Sequence, residues 1–133
     1  MKRNILKGLN KNLNTNGIFI FDVWYTPAVY FQKPETRIKR MSNENISVLR
    51  IAESDMVFNE NVVNVNFEVI VKEKKSSVIN IINEIHPMRH FSFPEIDLLA
   101  KLCGFSIINA EEFLTSNIPS VNTWGVCFIL KKT

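Results

Sequence analysis

Near the start of the chain Ile5, Leu6, Leu9 and Leu13 recur at helical spacing, with Lys2, Lys7, Asn10 and Lys11 between them. That pattern predicts a short amphipathic helix with one buried face. Asn14-Thr15-Asn16-Gly17 ends it, because Asn and Gly accept the left-handed backbone of a helix C-terminus. Ile18-Phe19-Ile20-Phe21-Asp22-Val23-Trp24 follows. A continuous apolar run of this length predicts a strand buried on both faces. An acid near its C-terminal end is unusual for a strand that is only structural.

The middle of the chain has a different period. Thr36 to Met41 alternates polar and apolar, and Ile46 to Ala52 is a further candidate strand. Val63, Val65, Phe67, Val69 and Val71 point one way, while Asn64, Asn66, Glu68 and Lys72 point the other, the period-two signature of a strand with one solvated face. Glu73-Lys74-Lys75-Ser76 is a polar turn, and Val78 to His86 is the returning strand of a hairpin. The centre therefore reads as an antiparallel sheet and not as a βαβ unit.

Beyond it an α/β pattern returns. Ser92-Phe93-Pro94-Glu95 matches a capping box, with Pro94 placed in the first helical turn, where its missing donor costs little. Ile96, Leu99, Ala100 and Cys103 form an apolar stripe, widened by Leu98 and Leu102, and Gly104 stops the helix. Phe105 to Ile108 is predicted as a strand, Glu111 to Leu114 as a helical turn, the segment around Asn117-Ile118-Pro119-Ser120 as a loop, and Trp124 to Leu130 as a final strand. The chain shows no internal repeat, low-complexity segment or flexible linker.

Composition narrows the function classes. The 133 residues fit one domain with a real core. Hydrophobic residues make up 46%, too many for a disordered chain, and ten are Phe, which points to a packed core or an aromatic-lined pocket. Net charge is only +3. Arg37, Lys39 and Arg40 read as a solvated strand edge, and Lys72, Lys74 and Lys75 as a hairpin tip, so no nucleic-acid partner is expected. Lys131 and Lys132 read as an ordinary solvated chain end. Cys103 and Cys127 each sit in an apolar stretch and read as buried free thiols. No run approaches the ~20 apolar residues that span a bilayer, and no signal peptide is evident, so a cytoplasmic location is expected.

Two groups of residues could carry chemistry. Asp22, Trp24 and Tyr25 end the apolar strand, and ligands of α/β sheets collect at the carboxyl ends of strands. They read either as a pocket wall, with Asp22 or Tyr25 touching substrate, or as packing and turn capping. His86, Arg89 and His90 lie at the end of the hairpin, and His86 shares a strand face with Glu84. His86 or Arg89 could meet a substrate, and the Arg89 fork suits a phosphate or carboxylate. Arg89 could instead pair with a nearby acid and tether the hairpin, and a lone His is more often structural. Tyr30, Phe31 and Trp124 read as core. No Ser-His-Asp spacing, phosphate loop or metal cluster is present, which disfavours hydrolase, kinase and metalloenzyme chemistry.

Three pieces, in this order, carry a resemblance. They are Leu9 to Trp24; Arg89-His90-Phe91-Ser92 with its capped helix and Cys103-Gly104-Phe105; and the closing strand that begins Trp124-Gly125-Val126. Together the chain resembles the second half of a class I S-adenosylmethionine-dependent methyltransferase of the small-molecule or nucleotide-sugar amine type. The resemblance implies an α/β fold: the fifth to seventh strands of a Rossmann-like sheet, with residues 36–88 inserted as an antiparallel sheet that covers the substrate, in one domain over 1–133. It implies a small-molecule substrate and S-adenosylmethionine as methyl donor.

The departure from the family is equally clear. That family grips its cofactor with a glycine-rich loop after its first strand, where backbone must approach the ligand closely. The four glycines here, Gly8, Gly17, Gly104 and Gly125, form no Gly-x-Gly. The cofactor is therefore not expected to bind this chain alone. A strand apolar on both faces also wants neighbours on both sides, so the strand from Ile18 to Val23 should associate, with a chain that supplies the first half or with a second copy. A ribbon found as a free, solvated edge would take the methyltransferase reading with it. The competing possibility is a non-catalytic remnant that binds a ligand or dimerises.

Overall fold

The computed structural model of the protein describes residues 2–133. The chain divides into two compact units, one built from the residues up to Lys33 together with His90–Thr133, the other from Pro34–Arg89.

The first unit contains helix α1 (Lys2–Asn12), strand β1 (Ile18–Trp24), helix α2 (Thr26–Gln32), helix α3 (Phe93–Leu102) and strands β6 (Phe105–Glu112) and β7 (Gly125–Lys132). Its sheet has the order β1-β7-β6, with β7 antiparallel to both neighbours. β1 and β6 therefore run in the same direction on either side of β7. Val126, Phe128 and Leu130 of β7 are fully buried and form a core with Leu6 of α1, Ile96 and Ala100 of α3, and Phe105 of β6. Phe19, Phe21 and Val23 add one face of β1 to that core.

β1 forms where the apolar run predicts it, but its burial on both faces does not hold. Exposed and half-buried residues alternate along it, with Ile18 45% and Ile20 59% exposed. Its pairing partner is β7, and β1 stands at one edge of the sheet order. The physical reason is that α1 and α3 both pack on the Phe19 face, and among the described residues no strand lies beyond β1. In the chain by itself the ribbon is thus a partly solvated edge, the outcome that weighs against an interior strand.

The turn into β1 depends on two special backbones. Asn16 takes the left-handed conformation at φ 66°. At Gly17 a Cβ would come within 2.7 Å of the Asn14 carbonyl oxygen, so a side chain there would force the turn apart. Lys132 is no solvated tail. Its Nζ donates to the carbonyl oxygens of Asn10 and Leu13, the latter at 2.8 Å, so a cation completes the C-terminal end of α1.

Three further expectations change. Ser92 occupies the N-cap of α3 in extended geometry, but its side chain makes no capping bond. Glu111 to Leu114 is not a helical turn: β6 continues through Glu112 after a register irregularity at Ile107/Asn109, and a turn with Leu114 at φ 66° follows. The segment after Trp24, read residue by residue, folds as α2 with Ala28 and Val29 fully buried.

The second unit is a four-stranded antiparallel sheet in the order β2-β3-β4-β5, formed by β2 (Arg37–Ser42), β3 (Ile46–Val57), β4 (Val62–Glu73) and β5 (Ile79–Arg89). Val63 and Val65 are its most buried residues, on the face the period-two pattern assigns them. On that face the Arg50 guanidinium lies 5.5 Å from the Phe67 ring centre.

Candidate functional site at the carboxyl end of the first strand

β1 stops at Trp24 because the next residues are fixed from two directions. The Tyr25 N–H donates to the Trp124 carbonyl at 2.8 Å, while the Phe91 N–H donates to the Trp24 carbonyl and the Thr26 N–H to the Phe91 carbonyl, both at 2.9 Å. Tyr25 and Phe91 form a one-residue parallel bridge. Pro27 then begins α2 in its first turn, where no donor is needed.

These constraints gather an aromatic and polar cluster. The rings of Trp24 and Trp124 meet edge to face at 5.2 Å. His90, one residue before Phe91, is 1% exposed, its Nδ1 2.8 Å from the Thr26 hydroxyl, and Tyr30 stands edge-on to it at 5.2 Å. Because β6 runs in the same direction as β1 on the far side of β7, the β6–β7 loop leaves the sheet at this same end. Thr123 Oγ1, in that loop, donates to Glu112 at 2.7 Å, and Thr115 Oγ1 donates at 2.9 Å. These two hydroxyls, Thr123 first, hold the Glu112 carboxyl below its ordinary range. The loop also carries Leu114 and Ile118, which are 87% and 90% exposed.

Of the residues singled out from the sequence, Trp24 and Tyr25 lie in this cluster, with Tyr25 turned toward the core. Asp22 is exposed one step earlier on the outer face, opposite Cys127, which is itself opposite Glu111. His86 and Arg89 belong to the other unit. His86 Nε2 lies 2.9 Å from Glu84 and its ring meets Phe67 edge-on at 5.0 Å, so the shared face with Glu84 becomes a contact. Arg89 donates to the Asn61 carbonyl at 3.5 Å. Tyr30 is half-buried, whereas Phe31 is 67% exposed and is not core. Thr26 carries no signal in the sequence, and His90 stands out there only beside His86 and Arg89. The apolar Phe91 immediately after His90, itself buried, is the signal for burial there.

Cys103 is buried and Cys127 half-buried, both as free thiols. Burial, then the Glu111 carboxylate, then that of Asp22, pushes the Cys127 thiol above its usual value. Glu111→Gln removes one of the two charges that oppose thiolate formation. It is expected to shift the pH profile of Cys127 alkylation by iodoacetamide to lower pH and to speed labelling several-fold at pH 8. A profile identical to that of the unsubstituted chain would contradict this assignment.

The residues present do not fit the usual grip on S-adenosylmethionine. The strand-to-helix turn of the cluster reads Trp24-Tyr25-Thr26-Pro27 and holds no glycine. Gly8 lies in α1, Gly17 precedes β1, Gly104 ends α3 at φ 77°, and Gly125 opens β7. Among the described residues no group of three or more His, Cys, Asp and Glu could hold a metal ion. Also among them, no helix is long and apolar enough to cross a membrane.

No family model matches the chain, and no curated protein matches it in sequence. Solved structures do match in fold. An S-adenosylmethionine-dependent methyltransferase from Clostridium acetobutylicum superposes with a TM-score of 0.76 at 15% identity, over 98% of this chain and 50% of that one. CalS10, an amino pentose methyltransferase from Micromonospora echinaspora, gives 0.74 at 17% identity over 98% and 50%. DesVI from Streptomyces venezuelae gives 0.73 at 13% over 98% and 50%. The chain spans about half the length of the solved structures it matches. With three helices, a three-stranded β1-β7-β6 sheet and a separate antiparallel sheet, it has the α/β fold of one half of an S-adenosylmethionine-dependent methyltransferase, and its element order fits the C-terminal half.

Proposed function

We propose that this chain is the substrate-side portion of an S-adenosylmethionine-dependent methyltransferase acting on a small molecule, and that a first half encoded outside these 133 residues supplies the cofactor grip. One observation carries the reading: nearly the whole chain matches half of each methyltransferase in fold. An exposed apolar edge without lysine, proline or bulge is a pairing site. The solvated edge of the chain by itself is then the surface that the first half covers.

Trp24 and Trp124 form the wall against which a flat or sugar-like acceptor rests, and His90, held by Thr26, fixes the floor beneath it. Asp22, exposed on the same face of β1 as Trp24, is the further substrate contact in this unit. CalS10 is by name an amino pentose methyltransferase, and a sugar amine is the acceptor chemistry this proposal takes from it. Transfer from an activated methyl donor asks this portion for alignment and exclusion of water rather than strong acid or base. The protein works in the cytoplasm, where its two thiols stay reduced.

Titration calorimetry tests the proposal. S-adenosylmethionine added to this chain alone is expected to give no binding heat. After addition of a polypeptide with a strand followed by Gly-x-Gly from the same gene or its neighbourhood, binding at micromolar strength is expected. Micromolar binding to the chain alone would overturn the absent-grip claim. No binding in either case would favour the non-catalytic remnant.

A further inference from the structure

In the first unit, α1 and the end of α3 enclose a groove of about 580 Å³. That lies within the range of about 300–1,000 Å³ in which proteins bind small molecules. α1 lines it with Asn4, Lys7, Gly8 and Lys11, residues that share one helix face at spacings of three and four. Leu102 and Cys103, where α3 ends, give it a short apolar patch. Leu6 and Leu9, on another face of α1, are the residues that join the core.

Three features suit this groove to an anion. First, its two ammonium groups have no acid beside them. α1 contains no Asp or Glu, and Asp97 of α3 is already held by Lys101 at 2.6 Å. Second, the carbonyl groups that follow α3, which would repel an anion, are occupied. The Asn10 side-chain amide donates to those of Cys103 and Gly104 at 2.9 and 3.3 Å. Third, Gly8 keeps the groove open. Glycine weakens a helix interior relative to alanine. A Cβ at position 8 would meet nothing within 4 Å, so packing inside the chain does not ask for glycine there. Room for a ligand does.

We infer that the groove binds a small phosphate monoester, its dianion at the ammonium groups of Lys7 and Lys11 and its carbon body over Leu102 and Cys103. Lysine meets a tetrahedral dianion as a compact point charge, whereas a planar carboxylate is best met by the arginine fork. No arginine stands among the described residues that line the groove. Both helices belong to this chain, so the inference does not depend on the methyl-transfer reading.

Amide chemical shifts of the 133-residue chain, titrated with phenyl phosphate, test it. Saturable shifts are expected at Lys7, Gly8, Lys11 and Cys103. Inorganic phosphate, which lacks the apolar body, and succinate, which lacks the tetrahedral head, should each bind several-fold more weakly. Lys7→Gln should weaken phenyl phosphate about tenfold, the loss of one charge-assisted contact. Lys75→Gln, in the Pro34–Arg89 unit, should change nothing, which separates a site from general attraction to a basic chain. A phosphate monoester gains its second charge near about pH 6, so affinity should fall several-fold between about pH 7.5 and about pH 5. Gly8→Leu should fill the groove and abolish binding, with the helical circular dichroism kept. No saturable shift with phenyl phosphate, equal affinity for inorganic phosphate or succinate, affinity that ignores pH, unchanged binding in Lys7→Gln or in a folded Gly8→Leu, or an equal loss in Lys75→Gln would each overturn the inference.

Discussion

Replacing Phe128 with alanine is expected to cost about 3–5 kcal/mol of stability, measured as a lowered midpoint in urea unfolding at unchanged slope. Phe128 is fully buried in the central strand of its sheet, its ring 5.8 Å from Phe21 and 6.0 Å from Phe93. The substitution therefore opens a cavity where β1, β7 and α3 converge. A single domain has about 5–15 kcal/mol in total, so a loss of this size removes a large share of it. Phe31→Ala, at a ring 67% exposed, is the matched comparison and should change stability by less than about 0.5 kcal/mol. Equal losses for the two would mean that the core is not where the structure puts it.

Thr26→Val is expected to cost about 1–3 kcal/mol, because it keeps the shape of the side chain and removes the hydroxyl bonded to a buried imidazole. His90 is 1% exposed and its Nδ1 lies 2.8 Å from that hydroxyl. The same substitution should move the His90 ring resonances in NMR spectra and loosen the seat of Tyr30, while those of exposed His86 stay in place. Thr26→Ser keeps the hydroxyl and should recover most of the loss. No difference between the valine and serine variants would show that packing, not the hydrogen bond, holds His90.

Local period made much of this fold legible. The alternation through Val63, Val65 and Phe67 places a half-buried strand, and the spacing of Leu6 and Leu9 places an amphipathic helix, because each pattern is settled within a few residues. β1 shows the limit. Its apolar run fixes a strand, but burial of its second face depends on layers that this chain does not contain, so Ile18 and Ile20 remain exposed. α2 escaped because Pro27 reads as a breaker unless one knows that it stands in a first turn. Lys132 looked like a solvated tail because its partners, Asn10 and Leu13, lie some 120 residues away.

The site divides along the same line. Trp24 and Tyr25 were visible as the end of an apolar strand, where α/β sheets bind ligands. The Thr26–His90 bond was not, since it joins residues 64 apart and depends on how the chain enters α3. The fold itself came from the order of pieces rather than from any one motif. At 10% to 17% identity to the solved structures, single residues no longer report the fold, whereas the order of helix, turn, apolar strand and closing strand still does.

Amide hydrogen exchange along Ile18–Val23 tests the central claim most directly, read on this chain alone and again with a glycine-loop first half added. The account predicts that the outward-facing amides of β1 exchange rapidly in the chain alone and slow to the rate of the β7 core in the complex, as a new parallel strand takes them up. Slow exchange in the chain alone, or unchanged exchange in a complex that binds S-adenosylmethionine, would contradict it.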